Sequence, residues 1–274
     1  MSKLALVTGG SAGIGLAVSA ELAKLGYELL LIASNPAKLE SARTFLKQNG
    51  ASSVEFAAVD FADLKSVADF AKQIQNDWDL LVNNAGIKIQ ADAQPTQQGL
   101  ERHLGINHLA HFVLTNGLIA RAKTAARIVT VSSIVARMGS DTPLKHPNAT
   151  TSQCYANSKL ANLAFALELD QRLRILESEV RSLAAHPGFT KAEPYGTRIT
   201  RVGENLFAQS CERGALPILD AALSDSPIAY SGPRAFELWG PAAQARIPEI
   251  ALDENWRADF WRDSEVLAQK ALGL

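Results

Sequence analysis

The chain has 274 residues, 47% of them hydrophobic and 20% charged, with a formal net charge of -1. That length buries a sizeable core without disulfides or a structural metal, and one α/β domain of this size is common. A near-neutral balance without a long basic run excludes a nucleic-acid footprint and a polybasic membrane patch. Two cysteines, Cys154 and Cys211, lie far apart and outside a CxxC spacing, which fits a reducing cytosol rather than a disulfide scaffold. The first apolar stretch, Leu4 to Val7, is too short for a secretory signal, and no run reaches the length of a bilayer span. A soluble, cytoplasmic protein with no membrane anchor is expected.

Short apolar runs alternate with longer amphipathic ones. Leu4–Val7 reads as a buried strand. After a glycine-rich turn, Ile14, Val18, Leu22 and Leu25 recur at helical spacing until Gly26 stops the helix. Leu29–Ala33 reads as a second strand, Asn35-Pro36 as a breaker and Ala37–Gln48 as a helix. Val54–Val59, Leu80–Val82, Ile128–Val131 and Val180–Ala185 supply four more strands, and Tyr155 opens a helix through Leu169. Strands without polar alternation, separated by helices, predict a parallel sheet covered on both faces. This is the doubly wound, Rossmann-type α/β fold, which binds ligands at the carboxyl ends of its strands. No repeat or linker divides the chain, so a single domain is expected, with an irregular, mobile, substrate-binding stretch from about Gly188 to Pro217.

The turn Thr8-Gly-Gly-Ser-Ala-Gly-Ile-Gly15 joins the first strand to the first helix. Glycines there allow a tight turn and close approach to a pyrophosphate, and the helix N-terminus offers free N–H groups to an anion. Gly9, Ser11, Gly13, Ile14 and Gly15 are therefore candidate cofactor contacts. A carboxylate for the ribose hydroxyls is expected about 20 residues later in an NAD-binding unit, but the second strand ends Ala33-Ser34-Asn35. Ser34, Asn35 and Lys38 are instead placed to meet a 2′-phosphate, which favours NADP(H) over NAD(H).

Tyr155 and Lys159 stand at i and i+4 on one helix face. A phenol with a pKa near ~10 is a poor proton donor–acceptor at neutral pH, and an ammonium close by is expected to lower that value. By itself this spacing is most often a solvated helix face. His103, His108 and His111 share one helical stretch, but no carboxylate or cysteine completes a ligand set nearby, and no metal site is expected. Cys154, beside Tyr155, reads as a small packing residue.

The turn Thr8–Gly15, Asn83-Asn84-Ala85-Gly86, Ser133 and the Tyr155/Lys159 pair occur in the order of the short-chain dehydrogenases/reductases, which the chain resembles. The stretches Asn107–Thr115, Ser158–Phe165, His186-Pro187-Gly188 and Phe260–Glu265 are similar to the retinol-dehydrogenase-like branch, so the resemblance spans nearly the whole chain. It implies an NAD(P)(H)-dependent oxidoreductase acting on a carbonyl/alcohol pair of a small apolar or aromatic molecule. In that reading Tyr155 is the general acid or base, Lys159 lowers its pKa and holds the nicotinamide ribose, Ser133 holds the substrate oxygen, and Asn107 supports a proton-carrying water chain. Asp60 would bind the adenine amino group, and Asn83, Ala85, Gly86, Pro187, Gly188 and Thr190 would lie along the cofactor. Such donors aimed at a carbonyl oxygen stabilise the charge that hydride addition builds there.

Two departures bear on this. Ala192 stands where the family often has a threonine that helps hold the nicotinamide carboxamide, which leaves Thr190 as a substitute. The gap from Ser133 to Tyr155 is long, with a polar loop over residues 139–153 expected beside the substrate. Relatives that act on retinoids often begin with a hydrophobic anchor; none is seen here, which disfavours retinol itself. Double-bond reduction or epimerisation on the same scaffold, and a non-catalytic NAD(P)-binding regulator, are the competing readings. Association into a homo-oligomer is left open.

Overall fold

Leu6, Val7, Leu31, Leu81, Val82 and Val129 are all fully buried, as strands covered on both faces require. In the computed structural model, which describes residues 2–89, 94–144, 150–191 and 208–274, these residues lie in β1 (Lys3–Thr8), β2 (Tyr27–Ala33), β4 (Trp78–Asn83) and β5 (Ala122–Val131). With β3 (Val54–Ala58), β6 (Arg181–Ala185), β7 (Tyr230–Ala235) and β8 (Trp239–Gln244) they form one sheet in the order β3-β2-β1-β4-β5-β6-β7-β8. Every pairing is parallel except β7 with β8. Strand order reverses between β1 and β4, where a doubly wound sheet opens its ligand crevice.

Alternate side chains feed two cores, as the period of a strand dictates. Ala5 and Val7 face a layer formed by α1 (Gly13–Lys24), α2 (Pro36–Gln48) and α6 (Cys211–Leu223), with Val18, Leu22, Leu39 and Ile218 packed there. Leu6 faces the opposite layer, made by α3 (Leu64–Gln73), α4 (Ala110–Leu118), α5 (Thr151–Ile175) and the C-terminal α8 (Glu254–Leu272). The short α7 (Glu249–Leu252) leads into α8. Trp261 of α8 stacks on Phe165 of α5 at 5.7 Å between ring centroids and meets Phe112 of α4 edge-on at 4.9 Å. His108 adds a buried contact to Ser264 at 3.0 Å. The long helix α5, which carries Tyr155 and Lys159, is thus clamped between the sheet and α8.

Several elements differ from the sequence expectation. β5 starts at Ala122, ahead of Ile128; Lys123, Thr124 and Arg127 break the apolar pattern over a stretch that pairs irregularly with β4. β7 and β8 carry Gly232, Pro233, Gly240 and Pro241, residues that signal turns rather than strands. α5 starts at Thr151, with the Thr150 hydroxyl accepting from the Gln153 amide at 3.3 Å, so the loop expected through Gln153 ends earlier; residues 145–149 lie outside the described residues. α6 begins at Cys211 and holds Pro217 inside it, so the end of the stretch read as irregular is helical. Residues 192–207 of that stretch, with Ala192, Tyr195, Arg198, Arg201, Leu206 and Phe207, lie outside the described residues.

The β7–β8 hairpin turns through Phe236 (φ 52°) and Glu237 (φ 58°), with Leu238 N–H donating to Ala235 O at 2.9 Å. Two positive-φ residues suit the twist of a hairpin, yet each non-glycine residue held there costs about 1–2 kcal/mol. Phe236 is 86% exposed and packs on little. Replacing it with glycine is expected to raise stability by about 1 kcal/mol, read as a higher urea midpoint at unchanged slope; a lower midpoint would show that its exposed ring has a partner.

Candidate active site

The carboxyl ends of β1, β4, β5 and β6 surround a cleft of about 500 Å³. One wall is the turn into α1, with Gly9, Gly13, Ile14 and Gly15; the facing wall carries Ser133, Tyr155 and Lys159; Pro187, Gly188 and Thr190 close a third side. A Cβ on Gly15 would lie 2.3 Å from the Gly9 carbonyl oxygen, so only glycine lets the helix start this close to the strand. Asn84, Ala85 and Gly86 form the floor after β4.

A buried hydrogen-bond chain fixes that floor. His111 is fully buried, and burial lowers its pKa to about 4, so the ring is neutral at pH 7. Its Nδ1 lies 2.9 Å from the Asn107 carbonyl, which only accepts. The hydrogen therefore sits on Nδ1, and Nε2 accepts from Thr8 Oγ1 at 2.9 Å. Thr8 Oγ1 accepts in turn from Asn84 N–H and Ala85 N–H at 2.8 and 2.9 Å. One threonine thus ties the end of β1 to the loop after β4.

Burial likewise holds His108 at about 3. An unfolded histidine titrates near ~6.5, so below that pH the unfolded chain binds more protons than the folded one. The unfolding free energy is expected to fall as pH drops from ~6.5 toward about 4, by about 2 kcal/mol per histidine at pH 5. Urea midpoints at pH 7.5 and 5 check this; equal midpoints would contradict it.

Asn107 lies in a π-helical turn, Leu104–Leu109, just before α4, a local form frequent at functional sites. Its Oδ1 accepts from Ile87 N–H at 2.8 Å, and its Nδ2 donates to Ile87 O at 3.1 Å and Ser158 Oγ at 2.9 Å. It is fully buried and pins the loop beside the cleft rather than lining it.

Lys159 is 6% exposed, donates to Val131 O at 3.0 Å and places Nζ 5.9 Å from the centre of the Tyr155 ring. Burial, helped by the charge of Lys88, lowers its pKa to about 8. Tyr155 differs from expectation: burial raises its pKa, and the opposing influence is a hydrogen bond from Ser133 rather than the lysine charge. Loss of water around the phenol outweighs the Ser133 hydrogen bond, so the phenol holds its proton. Ser133 Oγ also accepts from Val135 N–H at 3.4 Å.

The remaining sequence candidates divide. Thr190 lines the cleft, and its hydroxyl donates to Pro187 O at 2.8 Å. Asn83 is buried and turned away, its Nδ2 donating to Thr115 Oγ1 at 2.9 Å. Ser11 sits in the turn but outside the cleft lining, and Ser34, Asn35 and Lys38 are exposed at the end of β2 and start of α2. The Asn35 side chain caps α2 by accepting from Lys38 N–H at 3.0 Å, and Asp60 Oδ1 accepts from Ala62 N–H at 2.9 Å. Sequence reasoning missed Asn84, whose Nδ2 donates to Thr8 O at 2.8 Å, and the cleft residues Lys88, Ile134, Val135 and Leu238. Asn84 had a signal, since it follows Asn83 inside the same motif; Leu238 had none, arriving from a hairpin hidden in a Gly/Pro-rich segment.

The three clustered histidines diverge. His103 meets Glu101 and the Lys88 carbonyl, His108 meets Ser264, and His111 meets Thr8. Among the described residues no group of three or more His, Cys, Asp or Glu side chains could hold a metal ion, and no helix is long and apolar enough to cross a membrane.

Residues 3–199 match the model of the short chain dehydrogenase family. Human "Retinol dehydrogenase 14" is 30% identical over 303 residues, covering 97% of this chain and 86% of that protein. Human "Retinol dehydrogenase 13" is 34% identical over 282 residues, covering 96% and 83%. The bovine (Bos taurus) "Dehydrogenase/reductase SDR family member 13" is 38% identical over 284 residues, covering 97% and 73%. A crystal structure of an uncharacterized protein from Mycobacterium Paratuberculosis superposes with a TM-score of 0.80 at 33% identity, covering 97% of this chain and 93% of that one. A metagenomic short-chain oxidoreductase in complex with NADP shares the fold, with a TM-score of 0.63 at 22% identity over 88% of this chain and 98% of that one. With its family match over residues 3–199 and these relatives spanning nearly all of it, the chain belongs to the short-chain dehydrogenase/reductase family, in the retinol-dehydrogenase-like branch, and is a nicotinamide-dependent oxidoreductase.

Proposed function

We propose that this enzyme transfers hydride between NADP(H) and a carbonyl/alcohol pair of a small apolar molecule, with Tyr155 as the proton donor–acceptor. The observation that carries this reading is the meeting of Ser133, Tyr155 and Lys159 on one wall of the cleft, opposite the glycine turn. The cleft suits a dinucleotide. The α1 N-terminus lies along it, Lys88, Lys159 and Lys191 line it, and among the described residues no carboxylate does. Gly9, Gly13, Ile14 and Gly15, flanked by Ser11, would hold the phosphates. Ala85, Gly86, Lys159, Pro187, Gly188 and Thr190 would lie along the nicotinamide half, and Asp60 beside the adenine. The bound cofactor supplies or accepts the hydride.

The rest of the chemistry belongs to the chain. Ser133 donates a hydrogen bond to the substrate oxygen, and Tyr155 gives that oxygen its proton as negative charge grows there. A phenol whose pKa burial has raised is fully protonated at neutral pH, which suits the reductive direction. Lys159 holds the ribose, and its ammonium favours the phenolate left after transfer. Asn107 positions the loop after β4 and supports proton return through Lys159. Preference for NADP(H) rests on the missing carboxylate after β2 and on Ser34, Asn35 and Lys38 at that edge.

Ile89, Ile134, Val135, Phe189 and Leu238 give the cleft an apolar lining, as a small-molecule pocket with few polar anchors has. Relatives named for retinol and polyprenol are consistent with an apolar substrate. A carbonyl panel run with cofactor deuterated at the transferable position tests the reaction. Deuterium on the carbinol carbon of the product supports it; deuterium on a former carbon–carbon double bond refutes it.

A further inference from the structure

The tip of the β7–β8 hairpin reaches the reacting end of the cleft. Glu237 Oε2 lies 3.2 Å from His186 Nε2, while Oε1 lies 3.6 Å from Arg137 Nη1 and accepts from Arg246 N–H at 3.3 Å. His186 is fully buried at the end of β6. Its Nδ1 accepts from Gly188 N–H at 3.3 Å, so in the neutral ring the hydrogen sits on Nε2 and is donated to Glu237. The ring fits only because residue 232 is glycine: a Cβ there would lie 2.1 Å from His186 Nε2. Leu238, the next residue of the hairpin, accepts from Phe189 N–H at 3.1 Å. Pro187, Gly188, Phe189 and Leu238 all line the cleft. Both residues at the tip adopt positive φ without being glycine, and backbone strain of this kind persists where surrounding contacts hold it, commonly beside functional sites.

We propose that Glu237 is a positioning residue: through His186 it fixes the Pro187–Phe189 wall against which the nicotinamide half of the cofactor is held. This rests on reading the cleft as a nicotinamide dinucleotide site. The contact from Glu237 to the cofactor is indirect, running Glu237 Oε2, His186 Nε2, His186 Nδ1 and Gly188 N–H. The hairpin that ends the sheet thereby sets the distance between the cofactor wall and Tyr155. Its influence is confined to one half of the cofactor, because the turn into α1 is built by β1, β4 and His111 without it.

The test is isothermal titration of the full-length protein with NADPH and with 2′,5′-ADP, the half of the cofactor that lacks nicotinamide. Glu237→Ala is expected to weaken NADPH about tenfold, as loss of a charge-assisted hydrogen bond does, and to leave 2′,5′-ADP affinity unchanged. Glu237→Asp guards against a variant that fails to fold. Aspartate tolerates the left-handed backbone better and keeps the charge, but it is one methylene short of His186, so the same selective loss is expected. Glu237→Gln keeps an acceptor for His186 Nε2–H and should hold NADPH close to the wild-type affinity. Equal weakening of both ligands, or unchanged NADPH affinity in the Ala and Asp variants, overturns the proposal. A wild-type protein that binds neither ligand overturns the dinucleotide reading itself, a distinct result.

Discussion

Replacing Tyr155 by phenylalanine is expected to cut turnover at least ~10²-fold, the effect of removing a general acid, while cofactor affinity stays near the wild-type value. The substitution deletes only the hydroxyl. The ring keeps its edge contact with His103 at 6.1 Å and its place 5.9 Å from Lys159 Nζ, so the wall of the cleft is retained. What disappears is the hydroxyl proposed to give its proton to the substrate oxygen. Because burial raises the Tyr155 pKa, the wild-type proton is held throughout the neutral range, and the loss should be similar at pH 6 and pH 8. Steady-state rates with a reducible carbonyl and separate cofactor titrations check both halves of this expectation. Near-normal turnover would remove Tyr155 from the mechanism.

Replacing Lys159 by methionine is expected to do two opposite things. Turnover and cofactor affinity should fall, since the proposed ribose contact and the charge beside Tyr155 are both lost. The cofactor-free protein, however, should become more stable. The ammonium is buried and its pKa is lowered from 10.5 to about 8, so keeping it charged in the folded state at pH 7 costs about 3 kcal/mol. Against this stands one hydrogen bond to Val131 O, worth about 1 kcal/mol. That carbonyl still accepts from Asn162 Nδ2 at 3.0 Å after the change, and methionine refills most of the volume. A net gain of about 2 kcal/mol at pH 7 is expected. Below about pH 8 the lysine is charged in both states and the cost is fully present. As pH rises from about 8 toward 10.5 the folded state releases its proton first, so the advantage of the methionine variant should fade. Denaturant melts of the cofactor-free proteins at pH 7 and 10 measure it; a less stable methionine variant at pH 7 would contradict the account.

The sequence carries β1 to β6 because each holds a short, mainly apolar run between longer amphipathic ones, and it carries the glycine turn because only glycine fits where Gly15 meets the Gly9 carbonyl. It hides β7 and β8, whose glycines and prolines carry the local signal of turns while tertiary pairing makes them strands. It also hides which of two adjacent asparagines faces the cleft. Asn83 points to Thr115 and Thr130, Asn84 to Thr8, a choice set by strand register. The expected fall in the Tyr155 pKa failed for a related reason: spacing places Lys159 near the phenol, but burial decides the sign of the shift. Asn107 is singled out by its motif, whereas its bonds to Ile87 and Ser158 depend on a π turn that spacing does not announce.

The most direct test of the account is a titration of the purified protein with NADPH and with NADH, following nicotinamide fluorescence and melting temperature together. The account predicts shifted emission and a raised melting temperature, with NADPH binding more tightly than NADH. Failure to bind either at millimolar concentration would contradict the assignment of the cleft.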